Sequence, residues 1–93
     1  MRTIRYTNKF KKDFKREKAG QLGKKIATLL QETTDLLKAD EALPDRYSDH
    51  QLSGDLNDCR ECHVRPDLLL IYRKPDDSTI ELVRLGSRSE LFG

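Results

Sequence analysis

The chain has no tryptophan, one methionine, two cysteines and three prolines among its 93 residues. It also has no run of roughly 20 apolar residues, which excludes a membrane-spanning helix, and its first residues lack the apolar stretch of a secretory signal. We therefore expect a cytoplasmic protein whose two cysteines are thiols rather than a disulfide. A chain of this length can build one hydrophobic core, so we expect a single domain over residues 1–93.

Charge is abundant but unevenly distributed along the chain. The formal net charge is +2, yet residues 1–25 carry ten basic and two acidic side chains, a net charge of +8, and residues 26–93 carry −6. Clustered lysine and arginine attract polyanions such as RNA without sequence preference. A well-solvated basic helix that binds no nucleic acid would have the same composition, so charge alone leaves both interpretations open.

Hydrophobic spacing predicts two helices in the N-terminal half. Residues 2–6 alternate as in a short strand, and Thr7 or Asn8 can cap the helix that follows. Two glycines then interrupt the helical pattern. Apolar residues at helical spacing predict a second helix over 22–38, and we expect the two helices to pack as an antiparallel pair.

The C-terminal half has the pattern of a β-sheet. An acidic, proline-containing stretch at 39–49 is predicted to be a loop, and segments 55–64, 68–73 and 79–85 are predicted to be consecutive strands. The string LLLIY at 68–72 is apolar on both faces, which is typical of a central strand. The order β-α-α-β-β-β therefore predicts an α+β fold, with two N-terminal helices packed on a mainly antiparallel sheet.

Cys59, Cys62 and His63 form a C-x-x-C-H string, which attaches haem in exported proteins. On a predicted strand, residues three apart point to opposite faces, so these side chains would diverge. The same geometry disfavours a zinc site that adds His50. We therefore expect neither a metal nor a cofactor.

Polar and charged side chains occur at the ends of neighbouring predicted strands and in the loop before them. If the strands are adjacent, these side chains line one groove. Two imidazoles, a carboxylate and guanidinium groups can transfer protons and stabilise charge, which metal-independent cleavage of an RNA phosphodiester requires. Each residue alone also has an ordinary structural explanation, so the inference depends on their clustering. The residues are His50, His63, Arg65, Asp67, Arg84 and Arg88.

Three strings in this region resemble the YafQ branch of the RelE/ParE toxin superfamily. They are DHQLSG at 49–54, RECHVRPDLLLIY at 60–72 and RLGSRSELFG at 84–93. With the basic N-terminal helices, the resemblance spans essentially the whole chain. It implies a microbial RNase-like α+β fold and a ribosome-dependent mRNA endonuclease, the toxin of a type II toxin-antitoxin system. The implied partners are a cognate antitoxin of the DinJ type, the ribosome and mRNA, with no membrane.

The resemblance also implies roles for individual residues. The histidines and Asp67 would transfer protons, Arg84 would stabilise the phosphate charge, and Phe92 would position a base or ribose, plausibly by stacking. From its place in the predicted groove, we expect Arg65 to contact the substrate. The catalytic set is thus His50, His63, Asp67, Arg84 and the residue at position 88. A basic patch for ribosomal RNA would consist of Lys9, Lys11, Lys12, Lys15 and Arg16.

Two positions depart from the family pattern. Position 88 is usually histidine, whereas this chain has Arg88, which stays protonated and is a poor general acid or base, although it can bind phosphate. Two explanations of Arg88 remain open. Either this is a natural variant in which the other catalytic groups suffice, or it is a substitution that attenuates the activity. Leu68 replaces an aromatic residue found in some relatives, which would remove a stacking contact.

Two functions of another class compete with the nuclease. One is inhibition of gyrase, as in the ParE branch of the same superfamily, and the other is a binding module that has lost catalysis. The two histidines and Asp67 favour the nuclease, since a protein-binding inhibitor does not need titratable groups in one groove.

Overall fold

The computed structural model describes residues 1–93 and has five strands and three α-helices. Two short 3₁₀ turns, at Asp45–Tyr47 and Gly54–Leu56, lie on either side of the second strand. The elements in chain order are β1 (Thr3–Tyr6), α1 (Asn8–Lys18), α2 (Lys25–Lys38), β2 (His50–Gln51), β3 (Arg60–Arg65), β4 (Leu68–Arg73), β5 (Thr79–Gly86) and α3 (Arg88–Phe92).

The five strands form one mixed sheet in the order β1-β5-β4-β3-β2. β1 pairs with β5 in parallel, and the other three pairs are antiparallel. The predicted α+β fold with helices on a mainly antiparallel sheet is confirmed, and β4 is the central strand as its apolar sequence predicted. Because its neighbours cover both edges and both faces, the first five residues of β4 are buried.

One face of the sheet packs against α1 and α2 to form the hydrophobic core. Alternate residues of β4 point toward these helices, and Leu70 and Tyr72 pack there with Ile26 of α2 and Phe10 of α1. Thr7 links the helices to the sheet. Its hydroxyl accepts a hydrogen bond from the Phe10 amide at 3.0 Å, as an N-cap residue should, and donates one to the carbonyl of Val83 at 2.7 Å.

The predicted element boundaries need four corrections. The second helix begins at Lys25 rather than at residue 22, because the preceding turn has a glycine, Gly23, at a φ of 54°. The predicted strand 55–64 was wrong in its first half, where the chain forms the 3₁₀ turn at Gly54–Leu56. Strand β2 and helix α3 were not predicted, because two and five residues are too short to show a periodic pattern.

A sequence signal for α3 nevertheless exists. Ser87 and Glu90 form a capping box, in which the Ser87 hydroxyl accepts from the Glu90 amide at 3.2 Å and the Glu90 carboxylate accepts from the Ser87 amide at 2.8 Å. The pattern S-x-x-E marks a helix start. None of the three α-helices has the length and apolar character that crossing a bilayer demands.

Candidate active site

A row of polar side chains crosses the sheet on the face opposite the helical core. His50 of β2 pairs with Glu61 of β3, and Glu61 in turn pairs with Ile71 of β4. Residues directly opposite one another in antiparallel strands point to the same face, and residues two apart on one strand do so as well. His50, Glu61 and His63 therefore share a face, whereas Cys62 between them points into the core.

The carboxylate of Glu61 is the centre of this row. The side chain has no solvent exposure, and its Oε1 lies 2.9 Å from a terminal nitrogen of Arg88, 3.6 Å from Nε2 of His50 and 3.8 Å from Nε2 of His63. Its second oxygen, Oε2, is buried and has no hydrogen-bond partner. A buried carboxylate is costly unless a charge of opposite sign pairs with it, so the guanidinium of Arg88, which donates a hydrogen bond to Oε1, stabilises it, and the two imidazoles lie around the same oxygen.

Hydrogen bonding orients the imidazole of His50. Its Nδ1 lies 2.8 Å from the carbonyl oxygen of Ser48, which can only accept, so Nδ1 carries a proton and Nε2 points toward Glu61. About half of the His50 side chain is exposed, and His63 is about a quarter exposed. Both rings can therefore meet a ligand from solvent while their Nε2 atoms remain near the carboxylate.

Helix α3 brings Arg88 and Phe92 to the opening of the site. Arg88 is 62% exposed, although its guanidinium reaches the fully buried Glu61. The same guanidinium carbon lies 5.7 Å from the centre of the Phe92 ring, which is 46% exposed. The sequence motif placed both residues in the site, and the structure brings Arg88 together with the two histidines.

Asp67 and Arg65 lie beside this cluster rather than in it. Both are exposed and flank the tight turn between β3 and β4, and neither has an ion pair or side-chain hydrogen bond with Glu61. They line a separate polar cavity of about 310 Å³. The residues predicted for one groove are thus divided between a histidine cluster around Glu61 and a separate cavity lined by Arg65 and Asp67.

Arg84 is not brought into the histidine cluster. Its Nε and a terminal nitrogen donate to the carboxylate of Asp13 in α1, at 2.7 and 3.2 Å. Burial alone would raise the pKa of Asp13, but hydrogen bonds from Arg84 and from the Leu85 amide outweigh it and hold that pKa below its usual value. Arg84 therefore joins α1 to β5, and its predicted contact with phosphate stays a prediction.

Comparison with known proteins identifies the family. Residues 2–93 match the model of a family described as a bacterial toxin of type II toxin-antitoxin system, YafQ. The chain belongs to the YafQ family. The mRNA interferase toxin YafQ of Escherichia coli strain K12 is 36% identical over 96 residues, which cover 99% of this chain and 97% of that protein.

Solved structures of YafQ-family toxins have the same fold as this chain. YafQ from Escherichia coli BL21(DE3) is 31% identical with a TM-score of 0.82, and both chains are fully covered. A metal-bound toxin from Helicobacter pylori is 44% identical with a TM-score of 0.81, covering 99% of this chain and all of that one. A DinJ-YafQ complex from Escherichia coli contains a chain that is 31% identical with a TM-score of 0.80, with full coverage of both.

The Glu61 carboxylate is the site residue that sequence reasoning missed in this YafQ-family chain. Glu61 and His63 are two residues apart on a predicted strand, so both point to the same face of the sheet. This spacing was the sequence signal that could have placed Glu61 beside His63. That His50 lies directly opposite Glu61 depends on β2, which the sequence pattern did not reveal.

The predicted basic patch contains two kinds of residue. The four lysines of the predicted patch are exposed and have no ion pair with an acidic side chain, and the same is true of Lys18 at the end of α1. Arg16 instead makes ion pairs with Asp13, Glu17 and Glu90 at 2.9 to 3.0 Å and donates to the carbonyl of Leu85. The uncompensated positive charge of α1 therefore lies on its five lysines, Lys9, Lys11, Lys12, Lys15 and Lys18.

Both cysteines are free thiols, as predicted, and both are buried. Burial raises the pKa of the Cys59 thiol to about 11 and raises that of Cys62 as well. Both therefore remain protonated thiols near neutral pH, with little nucleophilic or ligand character. No three His, Cys, Asp or Glu side chains are grouped as metal ligands.

Proposed function

We propose that this chain is the toxin of a type II toxin-antitoxin system and acts as a ribosome-dependent mRNA endonuclease in the cytoplasm. Its membership of the YafQ family and the name of its Escherichia coli relative, an mRNA interferase toxin, support the reaction class. The observation that carries the mechanism is the convergence of His50, His63 and Arg88 on the buried carboxylate of Glu61.

The proposed reaction is attack of a ribose 2′-oxygen on the adjacent phosphorus. One imidazole accepts the 2′-hydroxyl proton as the new O–P bond forms, and the bond from phosphorus to the 5′-oxygen breaks. A second acid donates a proton to the departing 5′-oxygen, leaving a 2′,3′-cyclic phosphate. We assign these transfers to His50 and His63, with Asp67 as a third proton-transfer group, and no step of the proposed reaction requires a metal.

Positive charge at the site would stabilise the phosphorane-like transition state. Arg88 shares the Glu61 carboxylate with the histidines, and its exposed guanidinium can donate two parallel hydrogen bonds to a phosphate. Arg84 would contribute charge from its position beside Asp13. Phe92 is exposed and can stack on a base or ribose, and Arg65 can contact the neighbouring nucleotide.

The proposed partners use other surfaces of the chain. The unpaired lysines of α1, together with Arg16, would dock on ribosomal RNA, because exposed cations bind the phosphate backbone without reading its sequence. We further propose that a cognate antitoxin of the DinJ type holds the toxin inactive, and that residues 1–93 act as one toxin domain. The complex formed by the related YafQ with DinJ supports this partner class.

The decisive experiment is in vitro translation with primer extension on the mRNA. Addition of the protein should produce new 5′ ends within the translated region, and only when ribosomes are present. If neither this chain nor Arg88→His cuts mRNA on ribosomes, the nuclease function is wrong. Inhibition of DNA supercoiling by gyrase in a parallel assay would then identify the ParE-type activity.

The proton-transfer roles can be tested separately. We expect His50→Ala and Asp67→Ala each to lower the single-turnover cleavage rate by about two orders of magnitude or more without unfolding the protein. Asp77→Ala is a matched control, because Asp77 is an exposed carboxylate in the turn before β5 and contacts none of these residues. Unchanged rates in the first two variants would remove those residues from the mechanism.

A further inference from the structure

Asp49 lies immediately before His50 and makes its contacts on the other face of the sheet. The hydroxyl of Tyr72 in β4 donates to its Oδ1 at 2.6 Å, and Nε and a terminal nitrogen of Arg60 in β3 donate to its Oδ2 at 3.1 and 3.0 Å. Tyr72 and Arg60 are cross-strand partners, so they share a face, and Tyr72 belongs to the helical core. His50 instead points to the face that carries Glu61. Asp49 therefore anchors the His50 segment from the face opposite to the histidine cluster.

The hydrogen bonds of Asp49 are partly shielded from water. Tyr72 is 2% exposed, and the Asp49 side chain is 24% exposed. Burial and the hydrogen bond to Asp49 raise the pKa of Tyr72, so the phenol keeps its proton and remains a donor. Hydrogen bonds in which one partner is ionised are stronger than neutral ones, and all three bonds end on the Asp49 carboxylate. One side chain thus joins the segment before β2 to both β3 and β4.

Ser48, the residue before Asp49, has an uncommon backbone conformation. Its φ of 48° and ψ of 42° are left-handed, a region that residues other than glycine seldom occupy. Such a conformation persists where the surrounding structure fixes the chain. Here Tyr47 is buried in the core on one side, and Asp49 is fixed by its hydrogen bonds on the other. The resulting turn directs the Ser48 carbonyl to Nδ1 of His50, 2.8 Å away.

We propose that Asp49 is a positioning residue for His50 in RNA cleavage. By fixing the chain between Ser48 and His50, it places the Ser48 carbonyl where it accepts from Nδ1, and the ring then presents Nε2 to the cluster. This inference rests on the proposed nuclease function and deepens it. Asp49 has no hydrogen bond or ion pair with His63 or Arg88, so its contribution passes through the orientation and tautomer of His50.

The first test observes the His50 ring in the isolated protein, without RNA. Long-range ¹H–¹⁵N NMR spectra at about pH 8.5, where an ordinary imidazole is neutral, report which ring nitrogen carries the proton. We expect the proton on Nδ1 in the unmodified chain, and a shift toward Nε2–H in Asp49→Ala and in Tyr72→Phe. Tyr47→Phe is the matched control, because it removes the hydroxyl of an equally buried tyrosine whose hydrogen bond is with Arg46.

Two results of these spectra would overturn the inference. One is a His50 ring that keeps the spectrum of the unmodified chain in both variants, and the other is an equal change in Tyr47→Phe. Circular dichroism shows whether each variant folds. If Asp49→Ala does not fold, Tyr72→Phe decides, because it leaves the aromatic ring in the core and removes only the hydroxyl.

The second test is a double-mutant cycle on single-turnover cleavage of ribosome-bound mRNA. We expect Asp49→Ala to lower the rate by about tenfold or more in the unmodified chain, but by less than about twofold in a chain that already has His50→Ala. A purely structural residue would lower both rates by the same factor, and that result overturns the inference while the nuclease function stands. If the chain cuts no mRNA, the proposed function is wrong, and the ring spectra still decide whether Asp49 positions His50.

Discussion

Arg88 donates a hydrogen bond to the buried carboxylate of Glu61 at 2.9 Å, although the two residues are 27 positions apart in the sequence. Glu61 is fully buried and Arg88 is 62% exposed. The guanidinium therefore compensates the buried negative charge of Glu61 while much of the arginine side chain remains in solvent. The residue at position 88 is therefore coupled to the histidines through one carboxylate. Compared with a histidine, which the family resemblance implies at this position, an arginine changes the electrostatics of the whole cluster as well as one side chain.

Removing the charge of Glu61 should disable the cluster. We expect Glu61→Gln to lower single-turnover cleavage of ribosome-bound mRNA by about 10- to 100-fold, because the shape is kept but the charge that holds Arg88 and the imidazoles is lost. Glu81→Gln is the control, since Glu81 is also a buried carboxylate in the sheet but pairs with Arg73. Equal loss of activity in both variants would indicate general destabilisation and contradict a specific role for Glu61.

Replacing Arg88 by the histidine usual in the family should increase activity. An imidazole can exchange a proton near neutral pH and a guanidinium cannot, so we expect Arg88→His to raise the single-turnover rate by about tenfold or more. Arg88→Lys keeps a cation at this position, and its rate should not exceed that of the unmodified chain. If the histidine variant is no faster than the lysine variant, titration at position 88 does not limit the reaction.

The buried ion pair between Asp13 and Arg84 should stabilise the fold. We expect Asp13→Asn to lower the free energy of unfolding by about 2 to 3 kcal/mol at neutral pH, because charge-assisted hydrogen bonds from Arg84 and Leu85 are lost. Chemical denaturation followed by circular dichroism measures this change. Asp77→Asn, at an exposed turn, should change stability by no more than about 0.5 kcal/mol.

The same ion pair predicts how stability depends on pH. The folded protein holds the pKa of Asp13 below its unfolded value, which is about 3.9 for a free aspartate. The stabilisation is therefore present above about pH 4 and is lost as the pH falls through the lower folded pKa. The difference in unfolding free energy between the unmodified chain and Asp13→Asn should shrink below that pH. A difference that stays constant down to pH 2 would contradict the assigned ion pair.

The unpaired lysines of α1 should control ribosome association. We expect simultaneous substitution of Lys11, Lys12 and Lys15 by glutamate to weaken binding to ribosomes. The magnitude of the slope of log binding constant against log salt concentration should fall by about 2 to 3, because each phosphate contact contributes close to one unit. Reversal of Lys38 and Lys74, which lie outside α1, is the control. A loss of binding that does not vary with salt would indicate damaged folding instead.

The sequence by itself determined the elements that rest on local, repeated patterns. The apolar residues of α2 recur at helical spacing, which predicts the helix, and the LLLIY string of β4 is apolar on both faces, which predicts a central strand. The order of these elements along the chain then predicts the α+β class. Thr7 or Asn8 was predicted as the cap of α1 from residue type and position, and Thr7 is the residue that caps it. The motif residues His50, His63 and Arg88 were predicted as neighbours, and the tertiary structure brings them within 4 Å of one carboxylate.

Only the tertiary structure decided which of the charged residues act together. Sequence order cannot show that Glu61 is buried under Arg88, that Arg84 turns to Asp13 in α1, or that Glu17 shares a cavity with Asp67. These relationships join residues far apart in the chain, and each depends on strand register and helix packing. An arginine or glutamate has the same local signature whether it pairs inside the fold or faces a substrate, so its partner is set by three-dimensional proximity.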